Sequence, residues 1–155
     1  MKGNDTVIAH LNDRLAEELT AINQYMVHAE MCENWKYARL HEMIEKRAIV
    51  EMKHAETLIE RILYLDGQPI VSNLNQIKIG SKVEDMHRSD LNLEIGAITG
   101  YNESIKVARE VGDDGTAKIL ESILRDEEGH VDELEAQFNQ IEQTGVENYL
   151  AEQIY

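Results

Sequence analysis

The segment Glu51-Met52-Lys53-His54 places a glutamate and a histidine three residues apart within an apolar stripe formed by Leu40, Ile44, Leu58 and Ile62. Side chains at positions i and i+3 of a helix lie on the same face, so one metal ion can contact both. A carboxylate on the buried face of a helix is destabilising unless a partner neutralises its charge. The segment therefore predicts a helix whose buried face carries chemistry.

The same motif returns 76 residues later as Glu127-Glu128-Gly129-His130, inside a second apolar stripe. An offset of 76 also relates Glu18 to Glu94 and Tyr25 to Tyr101. Each single glutamate precedes its Glu-x-x-His motif by 33 residues and occupies a core-facing position of its own helix. A lone Glu-x-x-His motif is weak evidence for a site, whereas two of them with equally spaced partner glutamates form a specific pattern.

The spacing also predicts which helix faces each motif. The midpoint between Glu18 and Glu51 falls at Asn34-Trp35, where we expect the first turn. Residues equidistant from an antiparallel turn lie at the same level, so Glu18 should face the first motif. The midpoint between Glu94 and Glu127 falls slightly before the second expected turn, so there the match holds to about one helical turn (~5 Å).

One glutamate from each of two helices plus Glu-x-x-His from each of two others is the ligand set of carboxylate-bridged di-iron bundles. The six candidate metal ligands are Glu18, Glu51, His54, Glu94, Glu127 and His130. Carboxylates with one imidazole per ion favour iron or manganese, and the single cysteine, Cys32, excludes a site built from several thiolates. Alternatively, Arg47 in the same stripe pairs with Glu18 and Glu51, but one arginine cannot neutralise four carboxylates.

Around these motifs, apolar residues recur every three or four positions over four long segments. They predict helices over residues 5–34, 36–65, 83–111 and 116–144, followed by a short amphipathic fifth helix within 146–154. The connection after residue 66 has about 15 residues and can span roughly 50 Å, enough to cross the whole bundle. The sequence thus predicts one all-α domain over residues 1–155, a four-helix bundle with one long crossover that resembles the ferritin-like fold.

The composition excludes several classes of function. The formal net charge of −15 argues against binding to nucleic acid or to an anionic membrane. The first residues lack an apolar signal core, and no apolar run reaches the roughly 20 residues of a membrane helix. We therefore expect a cytoplasmic protein.

The chain resembles the bacterioferritin family over essentially its whole length. The stretches that carry the resemblance are Met1-Lys2-Gly3, Ala21-Ile22-Asn23-Gln24-Tyr25, Glu51-Met52-Lys53-His54-Ala55, Ile59-Glu60-Arg61-Ile62-Leu63, Arg125-Asp126-Glu127-Glu128-Gly129-His130 and Glu147-Asn148-Tyr149-Leu150. The resemblance implies iron storage and detoxification in a homo-oligomeric shell of 24 subunits. It also implies a ferroxidase, which oxidises Fe(II) with O2 or peroxide and deposits ferric mineral in the shell.

The resemblance assigns roles to individual residues. Glu18, Glu51 and His54 would hold one iron, and Glu94, Glu127 and His130 the other, with Glu51 and Glu127 bridging both. Tyr25 would be a one-electron donor beside the centre. Whether the di-iron pair stays as a cofactor or passes into the cavity is left open. The resemblance also suggests a small ferredoxin as the electron source for iron release.

Met52 matches the residue through which two family subunits share one haem b. Leu19, Ile22 and Met26 are expected to line an apolar pocket nearby, although ordinary interface packing explains such residues as well. The chain departs from some family members at Lys46 and Val50, where those members carry a histidine and an aspartate. These two residues cannot form an iron site on the inner surface.

The same residues are also compatible with other functions. A rubrerythrin-like oxidase or peroxidase would act without storage, and a purely structural bundle would act through its surface. Tyr25 and Tyr101 can be core aromatics with satisfied hydroxyl groups. His10, His28, His41 and His87 are expected at the surface or in supporting positions, Asp126 and Glu128 on a solvated face, and Cys32 in an inert environment.

Overall fold

The computed structural model describes residues 1–155 and contains five helices and no strand. The helices are α1 (Asp5–Asn34), α2 (Ala38–Tyr64), α3 (Val83–Glu110), α4 (Asp114–Thr144) and α5 (Val146–Ala151). Short turns join α1 to α2 and α3 to α4, and one long connection joins α2 to α3. The predicted all-α, ferritin-like bundle with a crossover and a short C-terminal helix is confirmed.

The first turn makes α2 begin at Ala38, two residues later than the sequence predicts. Lys36 adopts a left-handed conformation with φ of 66°, which a helix cannot contain. The N–H of Tyr37 then donates to the carbonyl of Cys32 at 2.9 Å and caps the end of α1. Apolar periodicity does not reveal such a conformation, because Lys36 is otherwise a good helix former.

The second turn makes α4 begin at Asp114, two residues earlier than predicted. Asp113 is the N-cap, since its side chain accepts a hydrogen bond from the N–H of Thr116 at 3.0 Å. Arg61 of α2 donates to the same carboxylate at 2.9 Å. The cap therefore fixes the start of α4 and also ties it to the C-terminal end of α2.

The long connection lies along α1 because three side chains of that helix accept hydrogen bonds from its backbone. The pairs are Asn75 N–H to Thr20 Oγ1 at 2.9 Å, Lys78 N–H to Gln24 Oε1 at 3.0 Å, and Gly80 N–H to His28 Nε2 at 3.0 Å. The acceptors are spaced four residues apart and so form one stripe on α1. A Cβ at Gly80 would lie 2.3 Å from the backbone nitrogen of Met86, so the final contact requires glycine.

Two apolar clusters fill the interior of the bundle, with a polar layer between them. Along α1 the first cluster reaches Leu15 and the second begins at Ala21, and Glu18 lies between the two. Along α2 the second cluster includes Ile44 and the first begins again at Ala55. The apolar clusters stabilise the fold and hold the intervening carboxylates at a defined level inside it.

None of the helices combines the length and the apolar character that crossing a membrane requires.

Candidate metal centre

All six candidate ligands lie in the polar layer at the middle of the bundle. The four glutamates are each 1% exposed, His54 is 5% exposed, and His130 is partly buried. They come from four different helices: Glu18 from α1, Glu51 and His54 from α2, Glu94 from α3, and Glu127 and His130 from α4. The structure therefore brings together the residues that the duplicated spacing singles out.

His54 points one ring nitrogen into a group of three carboxylates. The distances from its Nδ1 are 3.1 Å to Glu127, 3.6 Å to Glu18 and 3.7 Å to Glu51. The donor atoms of these four residues all lie within 4.8 Å of one another. One cation can therefore be enclosed by three carboxylates and an imidazole.

His130 makes the matching arrangement on the other side of the layer. Its Nδ1 lies 2.8 Å from Glu51, 3.2 Å from Glu94 and 3.7 Å from Glu127. The donor atoms of these four residues also lie within 4.8 Å of one another. Glu51 and Glu127 belong to both groups, so the geometry offers two adjacent cation positions with two shared carboxylates.

The cluster contains buried acceptor atoms that the protein itself does not satisfy. The atoms without a hydrogen-bond partner are Glu18 Oε2, both oxygens of Glu51, Glu94 Oε2, Glu127 Oε1 and His54 Nδ1. Unpaired buried acceptors are rare in proteins because each costs free energy. Their convergence on one small volume fits bound cations, and carboxylates with imidazole fit iron.

The buried carboxylates repel one another, and burial, this repulsion and hydrogen bonding shift their pKa values. Burial and the nearby Glu18 raise the pKa of Glu51 well above its usual value. Burial and repulsion also raise the pKa of Glu127 to about 12. For Glu94, burial acts in the same direction, but hydrogen bonds from His130 and Glu127 outweigh it and lower the pKa. Cation binding to such a site must release protons.

Tyr25 and Tyr101 are both fully buried, and each hydroxyl group donates to a candidate ligand. Tyr25 donates to Glu94, and Tyr101 donates to Glu18. An arginine side chain also lies near each ring, with its Cζ 5.0 Å from the centroid for Tyr25 and 5.9 Å for Tyr101. The two tyrosines therefore occupy equivalent places in the two halves of the cluster.

Arg47 does not neutralise the cluster, so the explanation by a simple salt bridge is wrong. Its guanidinium lies 3.3 Å from Asp90 and 3.8 Å from Glu133 and forms no ion pair with Glu18 or Glu51. Asp90 also accepts hydrogen bonds from His28 and Gln24. Arg47 thus belongs to a separate buried network.

Asp126 has a role that the sequence analysis missed. It is exposed on α4 as expected, but its carboxylate accepts a hydrogen bond from Nε2 of His54 at 2.8 Å. This contact fixes the ring and leaves Nδ1 free for a cation. Metal-binding histidines commonly donate their second N–H to a carboxylate, and that preference was the signal available in the sequence.

The remaining histidines divide into two groups. His28 and His87 are fully buried, whereas His10 and His41 are partly exposed. Cys32 is a buried free cysteine, and burial raises the pKa of its thiol to about 11. A thiol with so high a pKa is a poor nucleophile at neutral pH.

Two cavities reach the cluster from different sides of the bundle. The first, about 150 Å³, lies between α1 and α3 and is bordered by Glu17, Asn75 and Asn92 together with all four buried glutamates. The second, about 650 Å³, lies between α2 and α4 and reaches His130; Lys46 and Val50 are among its lining residues. A small ion therefore has a route to the cluster from either side.

Met52 lies away from the metal cluster, on the surface of α2. It is 46% exposed and borders an apolar depression of about 250 Å³. Ile22 and Met26 line this depression as predicted, whereas Leu19 instead packs against the core. The rim carries two acidic residues, Glu30 and Glu45.

A four-helix bundle with a crossover and a buried carboxylate–histidine cluster defines the ferritin-like class. The family model of the ferritin-like domain matches residues 8–144. The chain is 39% identical to bacterioferritin of Mycolicibacterium paratuberculosis over 98% of its own length and 96% of that protein. Against bacterioferritin of Streptomyces coelicolor it is 40% identical, with coverage of 97% and 90%. This chain belongs to the bacterioferritin family.

Proposed function

We propose that this chain, a single domain of residues 1–155, is an iron-storage subunit with ferroxidase activity. The observation that carries the proposal is the pair of overlapping Glu/His groups, which share Glu51 and Glu127 and contain unpaired buried acceptors. Similarity to bacterioferritins over nearly the full length supports storage as the purpose of the oxidation. The proposed assembly is a cytoplasmic shell of 24 copies.

In this proposal Fe(II) is the substrate and the six candidate ligands bind it. Glu18, Glu51 and His54 hold one ion, and Glu94, Glu127 and His130 hold the other, with Glu51 and Glu127 contacting both. The carboxylates compensate the charge that iron gains on oxidation and so favour Fe(III). Two Fe(II) ions give two electrons to O2, which with two protons is reduced to the level of hydrogen peroxide, or, with two protons, they reduce one hydrogen peroxide to two waters.

Protons released on Fe(II) binding leave through the cluster's own side chains. The pKa of His54 is raised: burial lowers it, but the nearby carboxylates of Glu127 and Glu18 favour the protonated ring and outweigh burial. A bound cation displaces the proton from Nδ1, while Nε2 stays bonded to Asp126. His54 therefore enters the coordination shell with its orientation already set.

The 650 Å³ cavity beside His130 is the proposed path for oxidised iron towards the storage space. Lys46 and Val50 offer neither a carboxylate nor an imidazole there, so this path lacks a second iron site formed by those two positions. Release of stored iron would draw electrons from a small ferredoxin, as the family resemblance suggests.

An aerobic Fe(II) titration of metal-free protein tests the proposal, with ferric absorbance and retained iron per chain as readouts. Fast oxidation with retention far beyond about two irons per chain, the capacity of one dinuclear site, is expected. The matched pair is Glu127→Ala, which should lose fast oxidation, and Glu128→Ala, an exposed neighbour that should keep it.

Two outcomes would contradict the proposal in different ways. Saturation at about two irons per chain would leave the dinuclear site standing and remove the storage function. Oxidation at the rate of buffer alone would remove the ferroxidase and favour the structural bundle. Size-exclusion chromatography with light scattering tests the 24-subunit shell separately.

Met52 is proposed to hold one haem b together with the same residue of a second copy. The exposed thioether and the apolar depression beside it fit half of such a site. Bound haem would supply an electron path between the shell's exterior and its stored iron. Reconstitution should give about one haem for two chains, with a low-spin absorption spectrum, and Met52→Leu should abolish it. Met43→Leu, which alters a methionine outside the depression, is the control; equal haem uptake by all three proteins would contradict the role of Met52.

A further inference from the structure

The two buried tyrosines beside the metal cluster are related by the same offset of 76 residues as the candidate ligands. Tyr25 crosses the bundle from α1 and donates its hydroxyl hydrogen to Glu94 of α3. Tyr101 crosses in the opposite direction, from α3, and donates to Glu18 of α1. Each tyrosine is thus one hydrogen bond from a carboxylate that belongs to only one of the two cation groups.

We infer that Tyr101 is a one-electron donor to the oxidation chemistry of this site, equivalent to Tyr25 and serving the half of the cluster around Glu18. The inference rests on the proposed ferroxidase function. It adds a residue to which neither the motif nor the family resemblance gives a role. It also assigns the two tyrosines to separate halves of one centre.

Tyr101 meets the chemical requirements of such a donor. A phenol gives up an electron readily only when its proton can leave at the same time, and Glu18 Oε1 already accepts that hydrogen. The ring is fully buried, so water cannot quench the phenoxyl radical that results. No second acceptor competes for the hydroxyl group, which therefore stays directed at the cluster.

Two tyrosines change the electron balance of the reaction. O2 needs four electrons and four protons to become two molecules of water. Two Fe(II) ions supply two electrons, and Tyr25 and Tyr101 supply one electron and one proton each. The remaining two protons come from solvent, and the products are two Fe(III) ions, two phenoxyl radicals and two waters.

The radicals are removed by the same substrate. Two further Fe(II) ions each give one electron to one phenoxyl radical and become Fe(III), and two protons restore the two phenols. A centre with both donors can therefore complete the reduction of O2 without releasing hydrogen peroxide. A centre with neither donor stops after two electrons and releases one peroxide for each O2.

The alternative is that Tyr101 is an ordinary core aromatic whose hydroxyl group happens to be satisfied by Glu18. Under that alternative its removal would affect stability or metal affinity but would never change the radical content or the peroxide yield. These two readouts separate the inference from a purely structural role.

The experiment uses metal-free protein that is loaded anaerobically with two Fe(II) ions per chain, mixed with O2 and frozen within milliseconds. Electron paramagnetic resonance then counts tyrosyl radicals, and a peroxidase-coupled dye counts released hydrogen peroxide. Tyr25→Phe is the decisive variant because it leaves Tyr101 untouched: it should retain about half of the parent radical signal. Ring-deuterated tyrosine should narrow that signal and identify it as a tyrosyl radical.

Three further variants complete the test. Tyr101→Phe should retain the other half of the signal, and the double variant should show none and release about one peroxide for each O2 consumed. Tyr149→Phe removes a buried hydroxyl group remote from the cluster and should match the parent protein.

The inference is overturned if Tyr25→Phe oxidises Fe(II) without any radical, or if the radical persists in the double variant. Absence of Fe(II) oxidation in the parent protein would instead overturn the proposed function. The two failures are therefore distinguishable. Since Tyr25→Phe decides the question, a folding defect in Tyr101→Phe would not leave it open.

Discussion

Helices α1 and α2 form one hairpin and helices α3 and α4 form another, and the two carry the same ligands in different surroundings. His54 of the first hairpin donates from Nε2 to Asp126, which lies on α4 of the second hairpin, at 2.8 Å. The offset of 76 makes Val50 the equivalent of Asp126, so His130 lacks this partner in the second hairpin. The sequence repeat thus duplicates the ligands but not the carboxylate that accepts a hydrogen bond from the ligand histidine. The two cation positions are therefore chemically unequal.

The same comparison extends into the core. Leu11 of α1 corresponds to His87 of α3, and Arg14 corresponds to Asp90. All four side chains are buried. The second hairpin therefore buries a histidine where the first buries a leucine, and a carboxylate where the first buries a guanidinium. Differences of this kind are tolerated because each buried polar group has partners within its own network.

The largest effect is expected from a ligand that both halves share. Glu51→Ala removes a member of both cation groups, and Glu18→Ala removes a member of one. We expect Glu51→Ala to lose both bound ions and fast Fe(II) oxidation, whereas Glu18→Ala should still bind one ion per chain. Titration of the metal-free proteins with Co(II), followed by absorbance, counts the ions. Equal losses in the two variants would contradict the assignment of shared and separate ligands.

Packing should be equivalent in the two hairpins. Leu58 and Leu134 are related by the offset of 76 and are both 0% exposed. Leu58→Ala and Leu134→Ala should each lower the free energy of unfolding by about 2–5 kcal/mol, because each leaves a cavity in the core. Urea denaturation of the metal-free proteins measures both values. A cost below about 1 kcal/mol in either variant would show that its hairpin collapses around the cavity, which a tightly packed core cannot do.

The carboxylate that accepts a hydrogen bond from His54 can be removed by substitution, and an equivalent carboxylate can be introduced next to His130. Asp126→Ala deletes the acceptor for Nε2, and loss of such a partner typically weakens metal binding by about 10–100-fold. We expect that loss for one of the two Co(II) ions and little change for the other. Val50→Asp should strengthen binding of the second ion by a smaller factor. If Asp126→Ala weakens both ions equally, the support is not specific to the first hairpin.

The smallest effect concerns the pH dependence of stability. Burial and the nearby Arg47 lower the pKa of His87 to about 4, from 6.5 in an exposed histidine. Between these values the unfolded chain binds a proton that the folded chain excludes, so stability falls as the pH falls. From about pH 7.5 to about pH 5.5 His87 should cost about 1 kcal/mol.

His87→Leu, which copies Leu11 of the first hairpin, provides the matching control. Its free energy of unfolding should lose this part of the pH dependence, while every other titrating group is unchanged. Urea midpoints measured at several pH values give the comparison. Parallel pH profiles for the two proteins would mean that His87 takes up its proton without unfolding.

Much of this structure could be predicted from the sequence because the period of the apolar residues and the spacing of the glutamates indicate the same four helices. The 3.6-residue period of apolar side chains locates the helices. The spacing of 33 residues about each short turn predicts that Glu18 faces Glu51 and that Glu94 lies within about one helical turn (~5 Å) of Glu127. The expected burial of four carboxylates then predicts a cation site, because buried carboxylates are strongly destabilising unless their charge is compensated.

What could not be predicted depends on which neighbouring helix a side chain meets. Asp126 looks like one of many exposed acids, and its contact with His54 depends on how α4 lies against α2. Arg47 shares a stripe with Glu51, but it turns to Asp90 of α3 instead. The left-handed Lys36 likewise depends on how the turn closes, which local composition does not specify.

The membership of the two cation groups has a mechanical consequence. The first group takes three residues from the α1–α2 hairpin and Glu127 from the other, and the second takes three from the α3–α4 hairpin and Glu51 from the first. Each bound ion would therefore link one hairpin to the other, and both links would include the carboxylates of Glu51 and Glu127. Pulling the hairpins apart would mean breaking coordination bonds at both ions at once, so a loaded subunit would resist shear that an empty one yields to.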